Sequence, residues 1–274
     1  LLFGLTIGSL ALGIGACTAV FTLLDAVILR PIHVSNPERL VQLSSLDARN
    51  RAGYIGFTAR DLIDQADIFA GTCAFLTPQV TATIERDIRP MAALALSRRC
   101  FDVLGVRAAA GRLLDAADDA PGAPNVAVLS YGLWQQEFSG APDVIGRMVS
   151  IEGEPFTVVG VAEPGFDGLQ VGFPARLIIP LGPQAFMPAT LRRLALSANL
   201  FARLPEHLSL DQVNVRLQSM WPQILKESVP PEFQPAQRDA YLASRLAITA
   251  AATGLDSSLR SRFRIPLLAL MAIA

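Results

Sequence analysis

The chain is nearly without lysine, poor in histidine and cysteine, and uncharged over its first 24 residues. Lys226 is the only lysine and sits in Ile224-Leu-Lys-Glu-Ser228 with no glycine loop, so no GxxxxGK[ST] phosphate cradle exists. His33 and His207 are the only histidines, which removes the multi-histidine zinc and iron sites and the HExxH motif. Neither a CxxC pair nor a GxSxG nucleophile elbow occurs. A net charge of −1 provides no basic field, so nucleic acid is not an expected partner. No catalytic, cofactor-binding or metal-ligating set is expected. Asp118-Asp119, adjacent carboxylates in the Ala/Pro/Gly-rich stretch 115–124, read as solvated charges.

What the chain does have is apolar residue. At 51% hydrophobic and a mean hydropathy of +0.40 it is apolar for a soluble protein. Leu1–Leu24 carries no charge, and at about 1.5 Å per residue it makes a helix of roughly 36 Å, enough for a hydrocarbon core of about 30 Å. Residues 1–29 are therefore expected to be a transmembrane helix. A cleaved signal peptide fits poorly, because the apolar run is too long and lacks a basic start. Ile14-Gly-Ala-Cys17 resembles a lipoprotein box, but the run continues apolar past it.

Small and polar residues in this run keep one register. Gly4, Gly8, Ala11, Gly15, Thr18 and Thr22, followed by Asp25, recur at alternating spacings of four and three and form one stripe on a helix. Small residues four apart let helix backbones approach closely in lipid, so the stripe is a candidate packing face. Asp25 and Arg30 fall where the helix would meet the membrane interface.

Every charged residue lies at or after Asp25. Arg30-Pro31 ends the helix and Asn36-Pro37 makes a turn. Strands are expected at Leu40–Ser44, Val80–Ile84 and Met91–Ser97, and a helix capped by Thr58 with Asp61, its apolar face being Leu62, Ala66 and Phe69. From Gly111 the pattern becomes β-rich. It shows a strand at Val126–Leu129, a helix capped by Ser130 that can bury Leu133, Trp134 and Phe138, and a hairpin of Met148–Ile151 and Phe156–Val161. The strand Leu177–Ile179 closes the segment. Strands at Asn199–Leu204 and Leu246–Ala251 flank a helix with a Ser209/Gln212 capping box, which Pro222 should kink or end. Cys73 and Cys100 can pair only in an extracytoplasmic body with facing side chains; two buried free thiols are the simpler expectation.

The fold expected is α+β. An α+β subdomain over 30–110 and 189–259 is interrupted by an inserted β-rich subdomain over 111–188. Arg260, Arg262 and Arg264 then precede the apolar run 265–274, either an interfacial or core tail or the start of a second transmembrane helix, the latter favoured because the run has no polar terminus. Charge alone does not give the side of the membrane, since the orientation rule weakens over a loop this long.

Several ordered motifs carry a resemblance. Ala26-Val-Ile-Leu-Arg-Pro31 with Asn36-Pro-Glu-Arg-Leu-Val41, Cys100-Phe-Asp-Val-Leu-Gly-Val106 with Gly111-Arg-Leu, and Asn125-Val-Ala-Val-Leu-Ser-Tyr-Gly-Leu-Trp134 form its first part. Val144-Ile-Gly-Arg147 and Ile151-Glu-Gly-Glu-Pro-Phe-Thr-Val-Val-Gly-Val161 with Pro164-Gly-Phe166 complete it. Together they resemble MacB/FtsX-type ABC transporter permeases, in the subgroup without a fused ATPase. The resemblance implies an inner-membrane protein with a large periplasmic domain in two parts. It further implies a separate ABC ATPase subunit, a permease dimer, contact with membrane lipid and a periplasmic adaptor, and a role in export or mechanotransmission with no enzyme activity of its own. A membrane-anchored binding or sensor module with one helix is the alternative.

Overall fold

A computed structural model describes residues 31–120, 122–170, 172–182 and 197–255, with Gly15, Thr18 and Thr22 as isolated positions. The membrane helices expected over 1–29 and 265–274 otherwise lie outside the described residues. Among the described residues no helix is long and apolar enough to cross a membrane.

The described chain is a mixed α/β domain built on one large sheet. It opens with strands β1 (Leu40–Leu46), β2 (Ala52–Gly53) and β3 (Ile55–Gly56), helix α1 (Phe57–Gln65), and strands β4 (Gly71–Leu76), β5 (Gln79–Ile84) and β6 (Asp87–Leu96). Helix α2 (Cys100–Leu104), β7 (Ala108–Gly111), β8 (Val126–Leu129), helix α3 (Tyr131–Phe138), β9 (Met148–Ile151), β10 (Glu154–Ala162) and β11 (Leu177–Pro180) follow. Last come β12 (Ser197–Arg203), helices α4 (Leu210–Glu227) and α5 (Pro235–Leu242), and β13 (Arg245–Ala250).

Strand pairing divides the sheet. The order β11-β8-β10-β9-β5-β6, with β6 pairing back onto β11, closes a ring. Beyond β6 the sheet runs on as β4-β12-β1-β13 and stays open. The chain passes from the open part into the ring at Thr77-Pro78, between β4 and β5, and both of these strands pair along β6. Because side chains alternate across a strand, each strand feeds two faces. Val80, Ala82, Ile84, Ala93, Ala95, Leu129, Val149, Ile151, Phe156, Val158, Leu177 and Ile179 belong to one buried cluster, into which α3 inserts Leu133 and Phe138. The same cluster continues over Val41, Leu43, Leu200 and Ala202, where α1 and α4 cover it with Ile63, Val213, Leu217 and Trp221. The alternate residues, among them Leu40, Phe75, Leu94, Val128, Ile178 and Phe201, build a second cluster under α2 and the loop after β10, with Phe101, Leu104 and Phe166.

Local signals explain the helix starts. Ser130 accepts a hydrogen bond from the Leu133 amide at 3.1 Å, and Ser209 and Gln212 form a reciprocal capping box at the start of α4. Gln218 of α4 donates to the Leu246 carbonyl at 2.8 Å and the Trp221 indole donates to the Ser244 carbonyl at 3.0 Å, tying this helix across β13.

Three expectations are corrected. Thr58 does not cap α1: β3 pairs with β12 through Gly56, so the strand-to-helix switch falls at Gly56 and Thr58 lies in the first turn. Its buried face is Ala59 and Ile63, while Leu62 and Ala66 pack at the margin and Phe69 is buried beyond the helix end. Of the two outcomes expected of Pro222, a kink or an end, the end is overturned, since α4 runs on to Glu227. Proline removes a donor and frees the carbonyl four residues earlier, but Pro222 and Gln218 are both exposed, so water can serve the freed group. Finally, Cys73 and Cys100 are not free thiols. They form a buried disulfide with Cα atoms 4.6 Å apart. Mutual bonds between Ser97 and the Ala74 backbone bring the start of α2 against β4, which sequence spacing could not reveal.

Candidate functional site

Of the stripe Gly4, Gly8, Ala11, Gly15, Thr18 and Thr22, only the last three are described. All three are helical and exposed, and the Thr22 hydroxyl donates to the Thr18 carbonyl at 2.8 Å. Gly15 has open space where a Cβ would stand. Asp25 and Arg30 lie outside the described residues.

The described feature nearest to them is a junction where residues 31–35 meet residues 251–255. The Ile32 amide donates to the Ala252 carbonyl at 3.0 Å, and the Leu255 amide donates to the Leu169 carbonyl at 2.7 Å. Gln170 forms a parallel bridge with Leu255 and meets Thr77 at 3.1 Å, at the passage into the ring. Ile32, Val34 and Leu255 pack on the cluster containing Phe166 and Leu169. The two ends of the described body thus leave it side by side, both held by the loop that follows β10.

Glycines make these approaches possible. A Cβ on Gly254 would stand 2.7 Å from the Leu169 oxygen and 2.9 Å from Ile32 Cγ2, and one on Gly165 would stand 3.1 Å from the His33 ring. Both have positive φ, 85° and 90°, where an L side chain is strained. At the third contact, Ser35 packs on Gly105 just past α2, donating from its amide to the Leu104 carbonyl and from its hydroxyl to Gly105 O, both at 2.9 Å. Arg203 of β12 finishes this side, donating to the carbonyls of Val103 and Ser35 at 2.6 Å and of Asn36 at 3.2 Å. Burial pushes its guanidinium below its usual pKa, while the backbone carbonyls satisfy its donors.

Asp118 and Asp119 are not simple solvated charges, contrary to expectation. The Asp118 side chain is 7% exposed and takes a forked pair of hydrogen bonds from Arg112 at 2.6 and 2.8 Å. Burial opposes its ionisation but is outweighed by Arg112 and the Asp115 amide, so its pKa falls below the usual carboxylate value. Burial wins at Asp119 and raises its pKa, although the amides of Arg98 and Gly182 hold its carboxylate. Together they pin the 112–125 loop. Of the aromatic trio on α3, Phe138 is buried, whereas Tyr131 and Trp134 are half-buried, with the Trp134 indole donating to Ala141 O at 2.9 Å.

Two larger concavities mark the open-sheet side. One of about 520 Å³ lies between α1 and α2, with Arg60, Asp64, Thr72, Arg98 and Arg99 in its wall. The other, about 610 Å³, lies beside Tyr54, Phe233 and Tyr241. Among the described residues no group of three or more His, Cys, Asp or Glu is placed to hold a metal ion.

The family model of the MacB-like periplasmic core domain matches residues 3–220. The chain belongs to this family. Solved structures share the fold of this MacB-like core domain at low identity. The periplasmic region of MacB from Actinobacillus actinomycetemcomitans matches with a TM-score of 0.56 and 12% identity, over 84% of this chain and 94% of that one. A domain of a Porphyromonas gingivalis protein assigned as a permease gives 0.55 and 16%, over 85% and 98%. The extracellular domain of the noncanonic ABC-type transporter YknZ from Gram-positive bacteria gives 0.50 and 14%, over 76% and 99%. Among curated proteins nothing matches. In the sequence Gly105 and Gly165 stand out only within the motifs that carry the family resemblance, and Gly254 does not stand out. Nothing local links Gly105, Gly165 and Gly254 to residues 32–35.

Proposed function

We propose that the chain is the membrane-anchored extracytoplasmic core domain of a permease subunit in an ABC-type export or mechanotransmission system. The observation that carries this reading is the junction. Pro31 and Leu255 leave the body together, as a domain inserted between two membrane helices requires, and the apolar runs 1–29 and 265–274 lie just outside them. Membership of the MacB-like family and a buried disulfide, which persists in oxidising compartments, support the same placement. On this reading ATP is hydrolysed by a separate ABC ATPase subunit and the chain itself is no enzyme. A second permease copy, membrane lipid and a periplasmic adaptor complete the assembly.

The two-part division, 30–110 with 189–259 around an inserted 111–188, is kept as a proposal with one adjustment: the pairing of β5 and β6 with β9 and β11 groups residues 79–96 with the inserted part.

An alkaline phosphatase fusion at an exposed site such as Gly122, in the full-length protein in cells, tests the placement. Activity is expected, and an inactive fusion beside an active cytoplasmic reporter at the same site would overturn it. Gly8→Leu is expected to weaken permease assembly in a detergent pull-down while leaving membrane insertion intact; unchanged assembly reduces the helix to a tether.

A further inference from the structure

Strand β4 loses its second neighbour part-way along. It pairs with β6 through Phe75 and Leu76 only. At Ala74 the edge passes to Ser97, whose amide donates to the Ala74 carbonyl at 2.9 Å while its hydroxyl accepts from the Ala74 amide at 3.0 Å. At Thr72 no strand follows. Pairing on the far side fixes where Thr72 points its backbone. The Leu204 amide donates to the Arg39 carbonyl at 2.9 Å, so in the β1–β12 register it is Ala202 that exchanges main-chain bonds with Val41. Ala202 stands opposite Thr72 and has turned its amide and carbonyl towards β1. Thr72 therefore directs both of its own main-chain groups away from β12, to the side where Ala74 meets Ser97.

That side is the concavity of about 520 Å³ between α1 and α2, which Thr72 lines. Among the described residues nothing bonds to the Thr72 amide or carbonyl, although the residue is buried. Buried main-chain donors and acceptors call for partners. The edge on offer is one residue long, because Ser97 occupies Ala74 and the Ala70 amide donates to the Arg203 carbonyl at 2.9 Å. Charge is divided over the same wall. Asp61 pairs with Arg60, and Asp64 accepts from the Thr72 hydroxyl. Among the described residues the Asp67 carboxylate and the Arg98 guanidinium have no hydrogen bond or ion pair, and Arg99 has only Asp102 at 3.8 Å. Asp67 and Arg99 also hold positive φ angles, 50° and 65°, a strained backbone kept at this wall.

We infer that the cleft binds a short peptide of about two or three residues with both ends free. Thr72 exchanges two main-chain hydrogen bonds with one residue of the peptide. Arg98 and Arg99 take the terminal carboxylate, which suits the forked donors of guanidinium, and Asp67 takes the terminal ammonium. No covalent bond is made or broken. The inference gives the body a ligand and stands apart from the transport reading.

The test is calorimetric titration of the full-length protein in nanodiscs with trialanine, which presents two charged ends and a main chain with only methyl side chains. Saturable binding is expected, and its absence at millimolar peptide overturns the inference. Amidated trialanine, acetylated trialanine and trialanine methylated on the nitrogen of its middle residue each lack one recognised group. Each is expected to bind about tenfold or more weakly. Equal binding of any one of the three refutes the role given to its wall of the cleft, and with it the inference. Two variants at exposed positions supply the complement. Arg98→Gln should weaken binding of the free carboxylate and remove the penalty for amidation, and Asp67→Asn should remove the penalty for acetylation while tolerating the positive φ. Penalties that persist in both variants would equally refute it. The peptide analogues need no altered protein, so a variant that fails to fold leaves the test decisive.

Discussion

The ring and the open sheet are parts of one sheet, yet they solve the problem of burying apolar surface in different ways. The ring pairs its strands back on themselves and fills its interior from alternate positions. Small residues such as Ala82, Ala93, Ala95 and Ala127 leave room for Phe156, Leu129 and Leu177, and α3 serves as a plug. The open sheet cannot enclose itself. It needs α1 and α4 over one face, α2 over the other, and a disulfide to hold α2 down. Closure substitutes for helices and cross-links. Each region also has its own tryptophan, Trp134 on α3 and Trp221 on α4, so fluorescence of Trp221→Phe and Trp134→Phe backgrounds reads the two separately.

The largest effects should come from the fully buried rings. Phe156→Ala in the ring and Phe201→Ala in the open sheet are each expected to cost about 3–5 kcal/mol in urea unfolding. If both tryptophans report one shared midpoint shift, ring and open sheet are a single cooperative unit; separate midpoints would make them two. Replacing Cys73 and Cys100 by alanine should come next, at about 2–4 kcal/mol. Its loss should reach Trp221 before Trp134, because the cross-link serves the open sheet; the reverse order would contradict the contrast drawn between the regions. Cap removal is smaller. Ser130→Ala and Ser209→Ala should each cost about 1 kcal/mol, the first in the ring and the second in the open sheet.

The smallest effect is a pH dependence in the loop 112–125, which runs into β8 of the ring. Asp118 is held below its ordinary value of 3.8, so it contributes stability above that pH which is lost as the pH falls through its lower folded value. Asp119 is held above 3.8 and is unfavourable while charged, so its protonation relieves the loop as the pH drops towards 3.8. Tm measured against pH should therefore show Asp118→Asn losing stability at neutral pH and Asp119→Asn holding or gaining it, each within about 1 kcal/mol. The opposite ranking would mean that Arg112 does not dominate this loop.

How legible each region was follows from the range of its interactions. Strands β8 and β9 were readable to the residue, because their apolar runs are bounded by polar or turn residues. The caps at Ser130 and Ser209 were equally local, each a side chain reaching an amide three positions on. What did not show was distant pairing. That β6 meets β11 across some eighty residues leaves no periodicity behind, and the same holds for Cys73 with Cys100 and for the three glycines around residues 32–35. Thr58 misled for a related reason. Its capping signal was sound locally and was overruled by the pairing of Gly56 with Ser197, a partner far along the chain.

One feature of the open sheet bears on how the protein keeps to itself. Strand β13 lies at an edge of the sheet, and the register with β1 turns the backbone groups of its even-numbered residues outward. Such an edge is a template on which a strand from another molecule can crystallise into a growing fibril. The Trp221 indole and the Gln218 amide already occupy the outward carbonyls of Ser244 and Leu246, so among the described residues the outward carbonyls of β13 left on offer are those of Ile248 and Ala250. Two side chains of one helix thus give the sheet protection against aggregation at the end where ring closure cannot supply it.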